Sequence, residues 1–367
     1  MTTVYWDISG RCNARCLYCS AQHARRAGPP ADAPLETVLG ALHRLRAAGV
    51  GTVVLLGGEP TLRDDLPAIV REARRCDLEI GIATNGQSLP PRIRDGLLEA
   101  GRISINVSLD SAFAAENDAV RGDGYHARAL AALRELLDAR CSSGAPARVT
   151  IQVTLTRANL ERLEESLLRL TDLGVDTILV ERMRSYAWQS PEVRQLAPGP
   201  AEWVAGAERI ARAAARLGEP GRLALNYGLA RLKAWLAAGH GFPASPEKLC
   251  PGGLLAAVVD FEGFLHPCRN VLQRPVPARP DGTPWYTIRP ISVAQPKAAG
   301  FLRSPYFVDF FNFAHSASVY GRLGMCHTCP HYTVCEPCPL DVATFGEAVL
   351  AECRWVAALE AREGAGG

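Results

Sequence analysis

The chain has 367 residues, 48% hydrophobic and 21% charged, a balance that fits a globular protein with a sizeable core and excludes wholesale disorder. Against 40 Lys and Arg stand 38 Asp and Glu, so the net charge is +2 and no strong field draws the chain to nucleic acid or an anionic membrane. There is no apolar run of about 18 residues to cross a membrane and no basic or apolar start typical of a signal peptide, which predicts a cytoplasmic protein.

The expected elements alternate from the start. A strand over Val4–Ile8 leads into a cysteine cluster, and an amphipathic helix over Leu35–Ala48 stops at Gly49. The apolar run Thr52–Leu56 precedes Gly57-Gly58-Glu59-Pro60. A helix over Leu66–Arg75 and a strand over Glu79–Ala83 lead to Thr84-Asn85-Gly86. Then come a helix over Pro91–Ala100, a strand over Ile103–Leu109 closed by Asp110, a helix over Tyr125–Arg140 and a strand over Arg148–Leu155. Asn159 reads as the cap of a helix over Leu160–Leu173, and Asp176–Val180 is the sixth strand. Continuous apolar strands separated by helices imply a parallel sheet buried on both faces. Six units in about 180 residues suit an α/β fold of the partial (β/α)6 TIM-like kind, with polar residues gathered where strands end. The expected division is a barrel over 1–185, a helical connector over 186–245 and a small cysteine-rich domain over 246–367. The connector carries a helix from about Glu202 to Leu217, and the last unit ends in a helix near Glu352–Arg362 and a Gly-rich tail.

The 12 cysteines are clustered, and in a reducing compartment metal binding or catalysis is their default reading. Cys12, Cys16 and Cys19 form C-x3-C-x2-C in one loop. Three thiolates can wrap a four-iron cluster and leave one iron open, which catalysis needs. The competing reading is a zinc knuckle completed by His23. Cys250, Cys268, Cys326, Cys329, Cys335, Cys338 and Cys353 form a rear group that exceeds one zinc-ribbon site. Cys76 and Cys141 are strays, read as small buried or surface thiols.

The run Cys12-Asn13-Ala14-Arg15-Cys16-Leu17-Tyr18-Cys19, followed after the second strand by Gly57-Gly58-Glu59-Pro60, resembles the radical S-adenosylmethionine (SAM) superfamily over about residues 1–185. The resemblance implies a [4Fe-4S] cluster on Cys12, Cys16 and Cys19 whose open iron chelates SAM. Reductive cleavage of SAM would release a 5′-deoxyadenosyl radical that abstracts a substrate hydrogen. Gly57 and Gly58 would let the backbone approach the SAM amino group, with Glu59 and Pro60 shaping the turn. Tyr18 would pack on the adenine. Asn85, Ser108, Asp110 and Gln152, with Thr154, lie where the ribose and carboxylate would sit, and Arg121 would pair with that carboxylate. The rear cysteines resemble the SPASM domain, a C-terminal extension with auxiliary clusters. Carried over, Cys326, Cys329, Cys335 and Cys353 hold one auxiliary iron–sulfur cluster and Cys250, Cys268 and Cys338 the other. The interval between Cys335 and Cys338 is one residue shorter than usual, and the second cluster lacks a fourth cysteine, leaving it open or filled by His266 or Asp260.

Such clusters can take the electron left on substrate, bind substrate, or staple the domain. The resemblance implies oxidation or crosslinking of a ribosomal peptide, or else modification of a small sugar, aminocyclitol or nucleoside; a non-catalytic iron–sulfur or zinc protein is the third reading. An external reductant of the flavodoxin or ferredoxin type is expected. With the barrel beginning by Val4, a leader peptide would need a separate leader-binding protein. Arg269 stands where sulfatase-maturing relatives place an acidic base, which argues against that activity. Glu181, Asp260 and His266 are the candidate proton acceptors.

Overall fold

A computed structural model describes residues 2–19, 32–183, 189–219, 221–226, 234–235, 252–272, 274–316, 319, 323, 338–345 and 349–364. Seven strands follow one another in the first part: β1 (Thr2–Ser9), β2 (Val50–Gly57), β3 (Glu79–Thr84), β4 (Ile103–Ser108), β5 (Arg148–Leu155), β6 (Thr177–Arg182) and β7 (Leu223–Asn226). Each pairs in parallel with the next. Between them lie α1 (Leu35–Ala47), α2 (Leu66–Arg75), α3 (Pro91–Glu99), α4 (Ala114–Arg121), α5 (Tyr125–Ser143), α6 (Leu163–Thr171), α7 (Pro191–Gln195) and α8 (Pro200–Leu217). The chain is thus the expected α/β protein with an open, partial TIM-like barrel. Its strands are apolar because helices cover them: Val4, Trp6 and Ile8 of β1 and Val53 and Leu55 of β2 are buried, facing Val38, Leu42 and Leu45 of α1 within one core. Each such large side chain contributes about 1.5–3 kcal/mol by leaving water.

Three local expectations are corrected. The stretch foreseen as a helical connector also supplies a seventh parallel strand, β7, whose four residues are too few to stand out by pattern. Helix α4 was not foreseen, because its buried positions include Asn117 and Arg121, which break the apolar period. Asn159 does not cap a helix: α6 starts at Leu163, and the Asn159 amide donates to Asp110 O at 2.8 Å and Thr154 O at 3.0 Å while its Oδ1 accepts from Thr156 N at 2.8 Å.

The later residues continue the same sheet. Strand β8 (Ala256–Val259) runs parallel to β1, and β9 (Phe264–His266) and β10 (Ile291–Ser292) add antiparallel beyond it. The order is β10-β9-β8-β1-β2-β3-β4-β5-β6-β7. A 3-10 helix over Pro296–Arg303 packs on α1, where Arg44 donates to Val293 O at 2.6 Å. After α9 (Pro305–Ala314) and α10 (Pro339–Phe345), the last helix α11 (Ala351–Gly364) packs on α8. Among the described residues no helix is long and apolar enough to cross a membrane.

Candidate active site at the strand ends

The front loop leaves β1 and is fixed by one backbone bond to the end of α4 and one within itself. Leu17 N donates to Val120 O at 2.9 Å, and Cys19 N to Cys16 O at 3.3 Å. The Gly-Gly-Glu turn after β2 pairs with the loop's entrance: Gly58 N donates to Ser9 O and Glu59 N to Arg11 O, both at 2.7 Å. Gly57 adopts φ +120, and a Cβ there would fall 2.7 Å from Ser9 O; on Gly58 it would fall 2.0 Å from Arg11 O. The close approach that these glycines permit is therefore made by the loop's own backbone, one residue before Cys12. Glu59 is buried and holds the turn to β3: Oε1 accepts from Thr61 N at 3.0 Å and from the Thr61 and Thr84 hydroxyls at 2.7 Å, and Oε2 from Asn85 N at 2.6 Å. Burial pushes its carboxyl upward against these four bonds. Pro60 begins the 3-10 turn that Glu59 caps.

Beneath the thiols lies a buried ion pair. Arg121, at the end of α4, donates through Nε to Asp110 Oδ2 at 2.7 Å and through Nη2 to Oδ1 at 2.8 Å. Its remaining nitrogen, Nη1, reaches Cys16 Sγ at 3.7 Å and Tyr125 Oη at 3.3 Å. Asp110 also accepts from the Tyr18 hydroxyl at 2.6 Å and from Thr154 N at 2.9 Å. The expected roles of Arg121 and Tyr18 shift accordingly. The Arg121 fork is committed to Asp110 rather than free for a ligand carboxylate, and Tyr18, half-buried, is tied by its hydroxyl to that carboxylate. Asn85 stands between turn and loop, with Nδ2 2.7 Å from Asn13 Oδ1 and 3.6 Å from Cys12 Sγ. Tyr125 was not singled out from sequence; its hydroxyl donates toward Asn85 O at 2.6 Å and Ser108 O at 2.9 Å, joining the ends of β3 and β4. Its place directly after Gly124, at the start of a helix, was the only available signal. Gln152 lies further along the sheet and donates to Glu181 Oε1 at 2.7 Å.

The donor chemistry of this loop fits an iron–sulfur cluster. Cys16 is 8% exposed, and its thiol is pushed up to about 11, chiefly by burial, with Cys19, Asp110 and Cys12 adding to the rise and Arg121 opposing it. A thiol buried like that of Cys16 stays protonated at neutral pH unless a cationic centre takes its charge, and the Arg121 guanidinium beside it favours the thiolate.

A second group of thiols lies on the other side of β1. Asn270 donates from its backbone to Cys268 Sγ at 3.1 Å and from its amide to Cys338 Sγ at 3.4 Å, so the two cysteines share one neighbour. Cys353 is buried in α11. Cys250, Cys326, Cys329 and Cys335, and His23 of the zinc reading, lie outside the described residues. Neither residue offered as a fourth ligand is free: His266 Nε2 bonds Asp260 Oδ2 at 2.9 Å and its Nδ1 the Tyr306 hydroxyl at 3.3 Å, while Asp260 Oδ1 accepts from Glu262 N and Phe264 N. Arg269 clamps Asp7 of β1 with bonds of 2.8 and 2.7 Å. Asp7, a buried carboxylate in an apolar strand, was passed over in the sequence, although that very mismatch was its signal.

Comparison with known proteins agrees with this geometry. Residues 6–170 match the family model of the radical SAM superfamily. The chain is 27% identical over 305 residues to PqqA peptide cyclase of Streptomyces rochei, covering 82% of this chain and 79% of that protein. It is 29% identical over 179 residues to mycofactocin maturase MftC of Mycobacterium tuberculosis, which covers 49% of this chain but only 44% of that relative. Among solved structures, Streptococcus suis SuiB bound to precursor peptide SuiA superposes with a TM-score of 0.71 at 15% identity, covering 94% of this chain and 73% of that one, a likeness of fold. With three thiols on the loop after β1, the glycine turn that supports it and the family model matched over residues 6–170, this part of the chain is similar to the radical SAM superfamily.

Proposed function

We propose that this protein is a radical SAM enzyme that oxidises or crosslinks a ribosomally made peptide. The observation that carries the reading is the length of the similarity to a peptide cyclase, which runs far beyond residue 170 into the rear cysteine region. The activity named for that relative belongs to it; here it supports a peptide as the substrate class. Bound at Cys12, Cys16 and Cys19, a [4Fe-4S] cluster with SAM supplies the 5′-deoxyadenosyl radical for hydrogen abstraction. The chain's residues prepare the place. Arg121, locked on Asp110, holds a positive charge beside Cys16, and the Gly57–Glu59 turn fixes the loop against β3. Asn85, bonded to Asn13, and Tyr18, held through its hydroxyl by Asp110, brace the loop that would hold SAM, with Ser108 and the Gln152–Glu181 pair at the neighbouring strand ends. Cys268 and Cys338, with Cys250, belong to one auxiliary cluster, and Cys353, with Cys326, Cys329 and Cys335, to the other, in a SPASM-type unit over 246–367 beyond a barrel over 1–185 and a connector over 186–245. An external one-electron reductant of the flavodoxin or ferredoxin type feeds the centre.

Anaerobically prepared protein with SAM and a strong reductant should release 5′-deoxyadenosine, and the triple Cys12→Ala, Cys16→Ala, Cys19→Ala variant should not. With a short precursor peptide encoded nearby, mass spectrometry should show the loss of two hydrogens per crosslink. Turnover of a sugar or nucleoside with no change in any peptide would overturn the peptide reading, and zinc in place of iron at the front loop would overturn the whole of it.

A further inference from the structure

Beside Cys268 lies an aromatic box with one unsatisfied polar atom. The Tyr286 ring sits edge-on to Phe310 at 5.3 Å and tilted against Phe313 at 5.7 Å and Tyr306 at 6.2 Å between centroids. Gly252 joins this box to the thiol: a Cβ on it would fall 3.1 Å from Phe310 Cε1 and 3.3 Å from Cys268 Cβ. Tyr286 is 2% exposed, and its hydroxyl has no hydrogen-bond partner among the described residues. A buried hydroxyl left unmatched is costly, so one in a well-packed box points to an acceptor that binds there. Tyr306, its neighbour, has no such need, because its hydroxyl meets His266 Nδ1.

The missing acceptor has a chemical character. Two donors among the described residues already end on sulfur at this place: Asn270 N on Cys268 and Asn270 Nδ2 on Cys338. Tyr286 lies within electrostatic reach of the same two thiols, and burial together with their negative charge pushes its phenol upward. A phenol held neutral is a donor and not an anionic ligand. Hydrogen bonds to the sulfurs of an iron–sulfur centre stabilise its more negative, reduced form and so raise its reduction potential.

We propose that the Tyr286 hydroxyl donates a hydrogen bond to a sulfur of the iron–sulfur centre at Cys268 and Cys338 and thereby raises that centre's reduction potential. This inference rests on the auxiliary-cluster reading above. Tyr286 is a positioning and tuning residue, a donor beside the two that Asn270 supplies.

The test uses the full chain, prepared anaerobically, and follows an EPR-monitored redox titration of Tyr286→Phe. Iron per chain should equal that of the unmutated protein. One centre should become harder to reduce, with its oxidised-to-reduced ratio at fixed potential rising about tenfold, which is ~59 mV for a one-electron couple. Tyr306→Phe, which removes a hydroxyl already paired with His266, should leave that midpoint in place. If Tyr286→Phe fails to fold, selective labelling decides: with ring-deuterated tyrosine, the reduced rear centre should show a deuterium coupling that persists in Tyr306→Phe. Full iron with an unmoved midpoint, or no deuterium coupling, overturns the proposal alone. About four irons per chain in the unmutated protein, one cluster's worth, overturns the auxiliary-cluster reading and the proposal with it.

Discussion

Asp110 ties the thiol loop to the ends of α4 and β5. Its carboxylate takes two bonds from Arg121, one from Tyr18 and one from Thr154 N, and the Asp110–Arg121 pair is buried. Breaking such a pair from one side leaves an uncompensated charge in a low dielectric. Asp110→Ala should therefore cost about 3–5 kcal/mol in denaturant unfolding, while Asp110→Leu combined with Arg121→Met should cost less than the two single changes added. Additive losses would mean that the pair does not interact as described. At this scale the sequence showed which residues stand at strand ends but not their partners. Asp110 and Arg121 are 11 positions apart, and their meeting depends on α4, a helix with a weak apolar stripe.

The Gly57–Gly58 turn is an element whose existence was legible and whose physical purpose was not. From sequence, two glycines before Glu-Pro imply a tight approach to something. The fold shows that the approaching group is the Ser9–Arg11 backbone, brought there by parallel pairing of β1 with β2. Gly58→Ala should displace the loop that carries Cys12, since the colliding atom is a backbone carbonyl that cannot swing away. Iron bound per chain should fall by about four, one cluster's worth, with the circular dichroism spectrum unchanged. Unaltered iron would show that the loop tolerates the shift. Other elements follow the same logic: α2 and β5 lie where expected because their apolar periods are clean, whereas β7 is too short to register and α6 starts late because Asn159 is drawn to Asp110.

At the scale of the whole molecule, the rear residues complete the front ones. Strand β8 covers the free edge of β1, Arg269 neutralises Asp7, and α11 rests on α8. A chain ending at 245 would expose that edge and leave Asp7 unpaired, and unpaired strand edges invite association. The truncated protein should aggregate on size exclusion or melt lower by about 10 °C or more, given several kcal/mol lost at about 2–4 °C each. A monomer melting at the original temperature would mean that residues 1–245 stand alone.

The sequence by itself determined the alternation of strands and helices, the open-barrel class and the loop that carries Cys12, Cys16 and Cys19, because apolar period and ligand spacing are local properties of the chain. Tertiary structure alone decided that Arg121 serves Asp110, that Asn270 bridges Cys268 and Cys338, and that β8 lies beside β1. Those outcomes depend on which distant groups must share charge, donors or an open edge once water is excluded, and no short window of sequence carries that information.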